Sequence, residues 1–282
     1  WEQLALPREL RRVHADAVHA PNCFLPLRRP CPGVVTIHDL AFEEHPEDFS
    51  RRTGWKYRAL APRAARSAER VICVSEFTRA DVCRRYRVDP DKTRVVHSAP
   101  ALPLGDAPPP PGPYLLAVGD LRRKKNFSRL AAAFRMLHDD GLEHRLVIAG
   151  VDAGEGARVR DAAGPAPLEL TGYLPDAQLD AVMRGASLLI HPSLYEGFGF
   201  VVVEAMARGV PVACARATAL PETGADAAVY FDPLDVRDMA ATITKALGDR
   251  DRLADAGRRR AADFSWERTA ERTADVYREL LT

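Results

Sequence analysis

Two glutamates, Glu196 and Glu204, stand eight residues apart in Tyr195–Gly209, which reads YEGFGFVVVEAMARG. Glu204 lies among Val201, Val202, Val203, Ala205 and Met206. A lone charge in such company is costly if it is buried without partners. One candidate partner is Arg208, its i+4 neighbour on a helix. The other is a ligand. Gly197 and Gly199 permit positive φ and a close backbone approach, and the free amides of a helix starting near Phe200 suit a phosphate. A carboxylate has two oxygens and can accept from both hydroxyls of a vicinal diol, each charge-assisted bond being worth roughly 1.5–3 kcal/mol. Two carboxylates flanking such a loop fit a ligand that is anionic at one point and hydroxyl-rich on either side.

A second stretch, VGDLRRKKNFSRLAAAF, places Arg122, Arg123, Lys124 and Lys125 between a strand ending at Val118–Gly119 and a helix starting near Asn126. Cations at the C-terminal end of a strand lie where open α/β sheets bind ligands, and the following helix adds its amides. The segment reads either as a phosphate or diphosphate site or as a solvated basic loop. Asp89-Pro90-Asp91 and Asp249-Arg250-Asp251 both spell D-x-D, a metal-binding pattern in some enzymes. The first lies in a proline turn and the second is crowded by arginine, so no metal is expected. The glycines of Ala149–Val159 lack the third position of a dinucleotide fingerprint.

These segments need a scaffold, and the dominant pattern is short apolar runs alternating with helix-like segments. That predicts an α/β chain with parallel sheets. Strands are predicted at Asp16–His19, Val34–His38, Arg70–Ser75, Arg94–His97, Tyr114–Val118, Arg145–Ala149, Leu168–Thr171, Ser187–His191, Val210–Cys214 and Ala228–Phe231. Runs such as YLLAVG and RLVIAG are continuously apolar, as strands covered on both faces should be. Helices are predicted at Gly54–Arg66, Glu76–Arg85, Asn126–His138, Asp176–Arg184, Phe200–Arg208, Val236–Leu247, Arg250–Ala262 and Trp266–Leu281. Between Ser98 and Tyr114 the chain reads SAPALPLGDAPPPPGPY, with four consecutive prolines. Proline at this density favours a stiff extended spacer. The expected division is 1–99, a linker over 100–113, a larger domain over 114–265 and a terminal helix over 266–282.

The 282 residues are 46% hydrophobic, enough for one large or two ordinary domains with real cores. A formal net charge of +1 gives no global sign of nucleic acid, though basic residues crowd Arg51–Arg70 and Arg250–Arg260. The segment RRTGWKYRALAPRAARSAER carries Trp55, Tyr57 and Leu60 beside its cations. It reads as an arginine-rich surface helix or as a face for an anionic membrane. Five cysteines without C-x-x-C spacing argue against a disulfide framework or a zinc site and fit a reducing cytosol. Cys73 and Cys214 lie in apolar runs and are expected in the core. No apolar run is long enough to span a bilayer.

The stretch from Glu196 to Val212 resembles the signature of glycosyltransferase family 4, retaining enzymes of the GT-B fold. The family pattern is written E-G-F-G-L-P-x-x-E-A-M-A-x-G-x-P-V. Phe200 stands here for the usual Leu and Val201 for the usual Pro. GDLRRKKN resembles the family's phosphate loop, with Asp120 where an additional arginine is common. TGYLPDAQL, ALPETGADAAVYFDP and FSWERTA resemble later segments, and VVTIHDLAF and VICVSEFTRADV resemble acceptor-domain strands. The opening residues resemble the middle of the family's first domain, so that domain is expected to be shortened.

The resemblance implies two Rossmann-like domains facing a cleft. It implies a retaining, metal-independent transfer of a sugar from a nucleotide-sugar donor to an acceptor hydroxyl on a glycan, a lipid-linked sugar or a small-molecule glycoside. Lys125, helped by Lys124 and Arg123, would bind the diphosphate. The backbone of Gly197, Phe198 and Gly199 would lie close to the sugar and diphosphate. Glu196 would contact the sugar hydroxyls, Glu204 the ribose diol, and Tyr173 and Leu174 the base. His38, in TIHD, matches a histidine at the sugar end. Its neighbour Asp39 either fixes the ring tautomer or starts a turn. His38, Lys125 and Glu196 are therefore the expected catalytic residues, no cofactor is expected beyond the donor, and nucleic acid is not expected as a partner. A cytoplasmic location, at the inner face of a membrane through residues 51–70, is expected. The alternative is a non-catalytic nucleotide-sugar-binding or partner subunit.

Overall fold

The structure, a computed structural model, describes residues 1–281. The chain divides into two compact units, Ala99–Phe264 and Trp1–Ser98, the latter joined by the segment from Ser265 onward. The first unit contains α1 (Leu6–Arg12), β1 (Val18–Ala20), β2 (Gly33–Ile37), α2 (Ala41–Glu44), α3 (Arg51–Ser67), β3 (Arg70–Cys73), α4 (Glu76–Tyr86) and β4 (Thr93–Val95). Its four strands pair in parallel in the order β1-β2-β3-β4. The second unit runs β5 (Tyr114–Val118), α5 (Phe127–Asp139), β6 (Arg145–Ala149), α6 (Gly156–Ala163), β7 (Leu168–Gly172), α7 (Asp176–Arg184), β8 (Leu188–His191), α8 (Phe200–Ala207), β9 (Val212–Ala215), α9 (Leu220–Gly224), β10 (Val229–Phe231), α10 (Val236–Gly248) and α11 (Arg250–Ala261).

The six strands of the second unit are all parallel, in the order β10-β9-β8-β5-β6-β7. This is the doubly wound Rossmann order, in which the chain builds outward from β5 in one direction and then restarts at β8 in the other. The four central apolar runs explain the burial. Every residue of β5, β8 and β9 is buried, as is nearly all of β6, because helices cover both faces. Cys73 and Cys214 are fully buried, as their apolar neighbours implied.

The strands lie within a few residues of their predicted positions. Expected strand Val210–Cys214 begins at Val212, since Pro211 has no N–H to donate and enters the sheet only through its carbonyl, which accepts from Leu189. Helix α3 starts three residues before its predicted start because the Ser50 hydroxyl accepts the Thr53 N–H and caps it. Four helices escape sequence reading: α1, α2, α6 and α9. They are four to eight residues long, too short to display a 3.6-residue period.

The proline-rich segment is docked on the second unit. Gly105 N–H donates to Asp180 at 3.0 Å, Arg184 donates to the Ala107 carbonyl, and Arg145 to the Pro111 carbonyl. The last helix, α12 (Trp266–Leu281), belongs to the first unit. Val276 joins Val34, Ile72 and Val96 in one apolar cluster, with Tyr277 and Leu280 packed against it. The Tyr277 hydroxyl lies 2.5 Å from His19 Nδ1, and Thr36 Oγ1 lies 2.8 Å from the other ring nitrogen. Glu279 accepts from both Arg70 and Arg94. Val276→Ala removes two buried carbons and leaves a cavity, so urea denaturation of the variant should show a loss of about 2 kcal/mol. Unchanged stability would mean that α12 does not pack on this cluster.

Candidate functional site

In the second unit the strand order reverses between β5 and β8, and the loops after these two strands meet. Open parallel sheets bind ligands outside the carboxyl ends of the strands at such a reversal. The loop after β5 folds back along the loop after β6, with Gly119 N–H on the Ala149 carbonyl and Leu121 N–H on the Val151 carbonyl. Arg123–Lys125 form a single 3₁₀ turn that ends at Asn126, in the left-handed region. Asn126 is buried, and its side-chain amide donates to the carbonyls of Pro192 and Pro233. The Leu194 N–H donates to the Lys124 carbonyl at 2.8 Å. These bonds stitch the cationic loop to the glutamate loop.

The result is a direct contact between the two predicted motifs. Lys125 Nζ lies 2.6 Å from Glu196 Oε1, and both side chains are largely buried. Gly119 permits this path, because a Cβ there would stand 3.0 Å from the Lys125 stem, at a φ of +140°. His191 Nε2 lies 3.1 Å from the same carboxylate oxygen. Burial pushes the Glu196 carboxyl up, but Lys125 and His191 outweigh it and hold the group well below the usual carboxylate range. Glu196 is therefore ionised at neutral pH. The contacts of Lys125 and His191 both fall on Oε1.

The other cations have weaker engagements. Arg122 lies 3.6 Å from Asp120, the residue that replaces the family's additional arginine, and Arg123 lies 3.4 Å from Glu155. The Arg122–Asp120 pair is exposed on both sides, and a pair of this kind contributes about 1 kcal/mol or less. Glu196 is also held through its backbone, with the Thr218 hydroxyl accepting its N–H at 3.0 Å. Gly199, at φ +103°, opens α8, and the Phe198 ring meets Phe200 and Phe264 edge-on.

Glu204 is not paired with Arg208. Its Oε1 accepts from the backbone amides of Ala101 and Leu102, at 3.3 and 3.1 Å. Arg208 instead reaches Asp180 at 2.8 Å, and the two side chains are 1% and 0% exposed. Arg208 also donates to the carbonyls of Leu102 and Pro103, so the same segment is held from both sides. Burial pushes the Glu204 carboxyl up; the amides of Leu102 and Ala101 and the Arg208 charge offset only part of this, and the group sits above its ordinary value.

The remaining expected residues make no hydrogen bond to Lys125 or Glu196 among the described residues. Tyr173 and Leu174 follow β7, at the far edge of the sheet, and Tyr173 is 73% exposed. Neither has a hydrogen bond or ring contact with Lys125 or Glu196 among the described residues. His38 lies in the first unit, exposed at the end of β2, with Nε2 2.9 Å from the Pro21 carbonyl. That bond places the proton on Nε2 and makes Nδ1 the acceptor. Asp39 accepts from Ala41 N–H and starts the turn into α2. In the D-x-D segments, Asp89 accepts the Asp91 N–H and Asp249 pairs with Arg252. Asp152 closes the glycine loop after β6 by accepting from Gly154 and Gly156. His191, Thr218 and the Ala101–Leu102 amides went unread in the sequence. Only His191 carried a signal, as a polar residue closing an apolar strand run.

A reversed parallel sheet with a buried lysine–glutamate pair at its switch point and a second carboxylate inside the helix that follows defines a Rossmann-type unit. The chain belongs to the glycosyl transferases group 1, whose family description matches residues 106–262, while residues 1–99 match Glycosyltransferase Family 4. O-antigen chain mannosyltransferase B of Escherichia coli is 30% identical over 286 residues, spanning 93% of this chain and 74% of that protein. Sucrose-phosphate synthase from Thermosynechococcus elongatus superposes with a TM-score of 0.79 at 23% identity, over 98% of this chain and 76% of that one. Anabaena Alr3699/HepE in complex with UDP and glucose gives 0.77 at 19% identity, over 97% and 80%. The protein is thus a glycosyltransferase of the GT-B fold that takes its sugar from a nucleotide-sugar donor. A non-catalytic role is not favoured, since the mannosyltransferase and the synthase are enzymes by name.

Glu204 offers a test in the ligand-free protein. A carboxyl whose pKa is raised by folding contributes most favourably at pH below its unfolded value, and that contribution is lost as pH rises through the folded value. Glu204→Gln keeps an acceptor for the two amides and removes the charge. It should melt higher than the native chain at neutral pH, with the gap closing in acid as native Glu204 protonates. A lower melting temperature at neutral pH would show that the charge on Glu204 is satisfied without a ligand.

Proposed function

We propose that the protein is a retaining, metal-independent glycosyltransferase whose donor lies across the loops after β5 and β8. The observation that carries this reading is the Lys125–Glu196 pair, 2.6 Å apart at the switch point. In the free protein each charge satisfies the other. When a donor arrives, Lys125, with Lys124 and Arg123, turns to the diphosphate, and Glu196 accepts from the sugar hydroxyls. Glu204 takes the ribose diol in exchange for the amides of Ala101 and Leu102. The backbone of Gly197, Phe198 and Gly199 lines the sugar and diphosphate, and Tyr173 and Leu174 face the base. The complex of Anabaena Alr3699/HepE with UDP and glucose supports a donor of this kind.

In the reaction the bond between the anomeric carbon and the phosphate oxygen breaks as the acceptor hydroxyl attacks the same face. The acceptor's proton passes to the departing phosphate oxygen, and configuration is retained. No carboxylate is placed as a nucleophile, which favours this route over a covalent intermediate. Charge grows on the leaving nucleotide in the transition state, where a preorganised lysine acts most strongly. The cationic loop thus supplies the neutralisation that a metal would otherwise provide. His38 contacts the sugar, the role its motif carries. A hexose is the expected cargo, and a glycan, a lipid-linked sugar or a small-molecule glycoside the acceptor.

A thermal-shift screen against UDP-, GDP-, ADP- and dTDP-linked sugars identifies the donor, since binding raises the melting temperature with ligand concentration. With that donor, Glu196→Ala and Lys125→Ala should each lower hydrolysis or transfer by about 100-fold or more, as loss of one transition-state contact does. Native rates in both variants would sink the assignment.

The first unit adds a place for the acceptor to be met. Helix α3 holds Trp55 at 70% exposure beside the exposed cations Arg51, Arg52, Arg58, Arg63 and Arg66. No helix among the described residues is long and apolar enough to cross a membrane. An amphipathic aromatic on a basic face instead suits a peripheral contact with anionic lipid. Five cysteines without disulfides fit a cytoplasmic enzyme working at the inner face. The chain should co-sediment with phosphatidylglycerol vesicles and not with phosphatidylcholine vesicles, and Trp55→Ala with Arg52→Glu should abolish this. Equal sedimentation of native and variant protein would remove α3 from the interaction.

A further inference from the structure

Among the described residues, five buried side-chain atoms lack a hydrogen-bond partner, and two of them, His191 Nδ1 and Ser193 Oγ, belong to the loop that carries Glu196. His191 closes β8 at the switch point and is 1% exposed. Its Nε2 shares one carboxylate oxygen of Glu196 with Lys125 Nζ, at 3.1 and 2.6 Å. Glu196 is ionised and can only accept, so the imidazole proton sits on Nε2 and Nδ1 is the bare, unpartnered nitrogen. A buried imidazole that leaves one nitrogen unsatisfied in order to serve a carboxylate is costly if its role is packing alone.

The two donors to Glu196 differ in one respect. Lys125 is on a loop and has a flexible stem; His191 is locked at a strand end in the middle of the sheet. If the diphosphate draws Lys125 away, as the proposed function requires, Glu196 Oε1 loses its shorter contact and keeps only His191. We propose that His191 is the positioning residue of the sugar site, the fixed donor that orients Glu196 so that Oε2 faces the sugar hydroxyls after Lys125 has moved to the phosphate. This rests on the reading of Glu196 as the sugar-binding carboxylate. Burial, the larger influence, lowers the imidazole's pKa, and Glu196 only partly restores it.

The roles separate by experiment, with the nucleotide-sugar giving the largest thermal shift and its bare nucleoside diphosphate as probes. Glu196→Ala is the control for the underlying reading, and native activity in that variant ends the reading of the site itself. His191→Leu removes the donor. It should lower kcat by about tenfold, the size of one hydrogen bond to a charged group, with little change for the bare diphosphate. The affinity gained from the sugar should fall, and the acid limb of the pH–rate profile should move to higher pH, because Glu196 has lost a proton donor. His191→Gln places an N–H near the Nε2 position and should restore both the rate and the acid limb to within about threefold. His191→Leu with native rate and acid limb overturns the proposal. So does a folded Gln variant as impaired as Leu. If the Leu variant fails to fold, the Gln variant alone decides, since its amide has no proton to titrate and either supports the acid limb or does not.

Discussion

Glu196 is a carboxylate that stays charged while almost removed from water, and the second unit is arranged around that condition. A charge in that position survives only with close opposite charge and directed hydrogen bonds. Lys125 supplies the first and His191 the second. Both arrive from the middle of one sheet, Lys125 from the loop after β5 and His191 from the end of β8. The pairing of β5 with β8 is therefore what makes the charge tolerable. Asn126 and the Leu194–Lys124 backbone bond close the two loops on each other, and Thr218 fixes the Glu196 backbone from a third direction. The two principal charges of the site neutralise one another at 2.6 Å.

A parallel logic governs the other glutamate. Arg208 is the obvious partner for Glu204 on helical spacing, yet α7 brings a fully buried carboxylate, Asp180, within reach of it. Asp180 takes Arg208 and Arg184 together, since leaving either a buried acid or a buried guanidinium unpaired is far more costly than leaving Glu204 with two amides. The loss of Arg208 is what leaves Glu204 with a carboxyl raised by burial and only neutral donors. The proline-rich segment is drawn into this arrangement through Ala101, Leu102, Pro103 and Gly105. A stretch that composition marks as a spacer thereby donates to one of the residues expected to hold the donor.

Much of this was legible in the residues. Continuous apolar runs revealed the buried parallel strands, and glycine spacing, the cationic run and the two glutamates marked both loops of the site. The direct Lys125–Glu196 contact was not legible, since the two loops meet only through the pairing of β5 with β8. Short helices such as α9 were not legible, because five residues opening on a proline next to a turn carry no period. Nor was the role of His191, for a histidine at a strand end looks the same whether it packs or donates. Thr218 and the Ala101 amide are farther still from recognition, since a backbone group or a hydroxyl gives no pattern of its own.

Local chemistry was enough to mark which residue types suit an anionic, hydroxyl-rich ligand, because amide-rich helix starts, cations and carboxylates act over a few ångströms and are recorded in adjacent positions. It was also enough for the class of sheet, because burial on both faces imposes a composition. Which oxygen pairs with which nitrogen depends on strand order. Parallel strands twenty or more residues apart in the chain become neighbours, and five charges, Asp180 on α7, Glu204 and Arg208 on and just after α8, and Lys125 and Glu196 in the two loops, then compete for partners at a few ångströms. That competition sent Arg208 to Asp180, left Glu204 to the linker amides, and set His191 beside Lys125 on one oxygen of Glu196. Its outcome is a minimum over contacts distant in sequence, and no spacing along the chain encodes it.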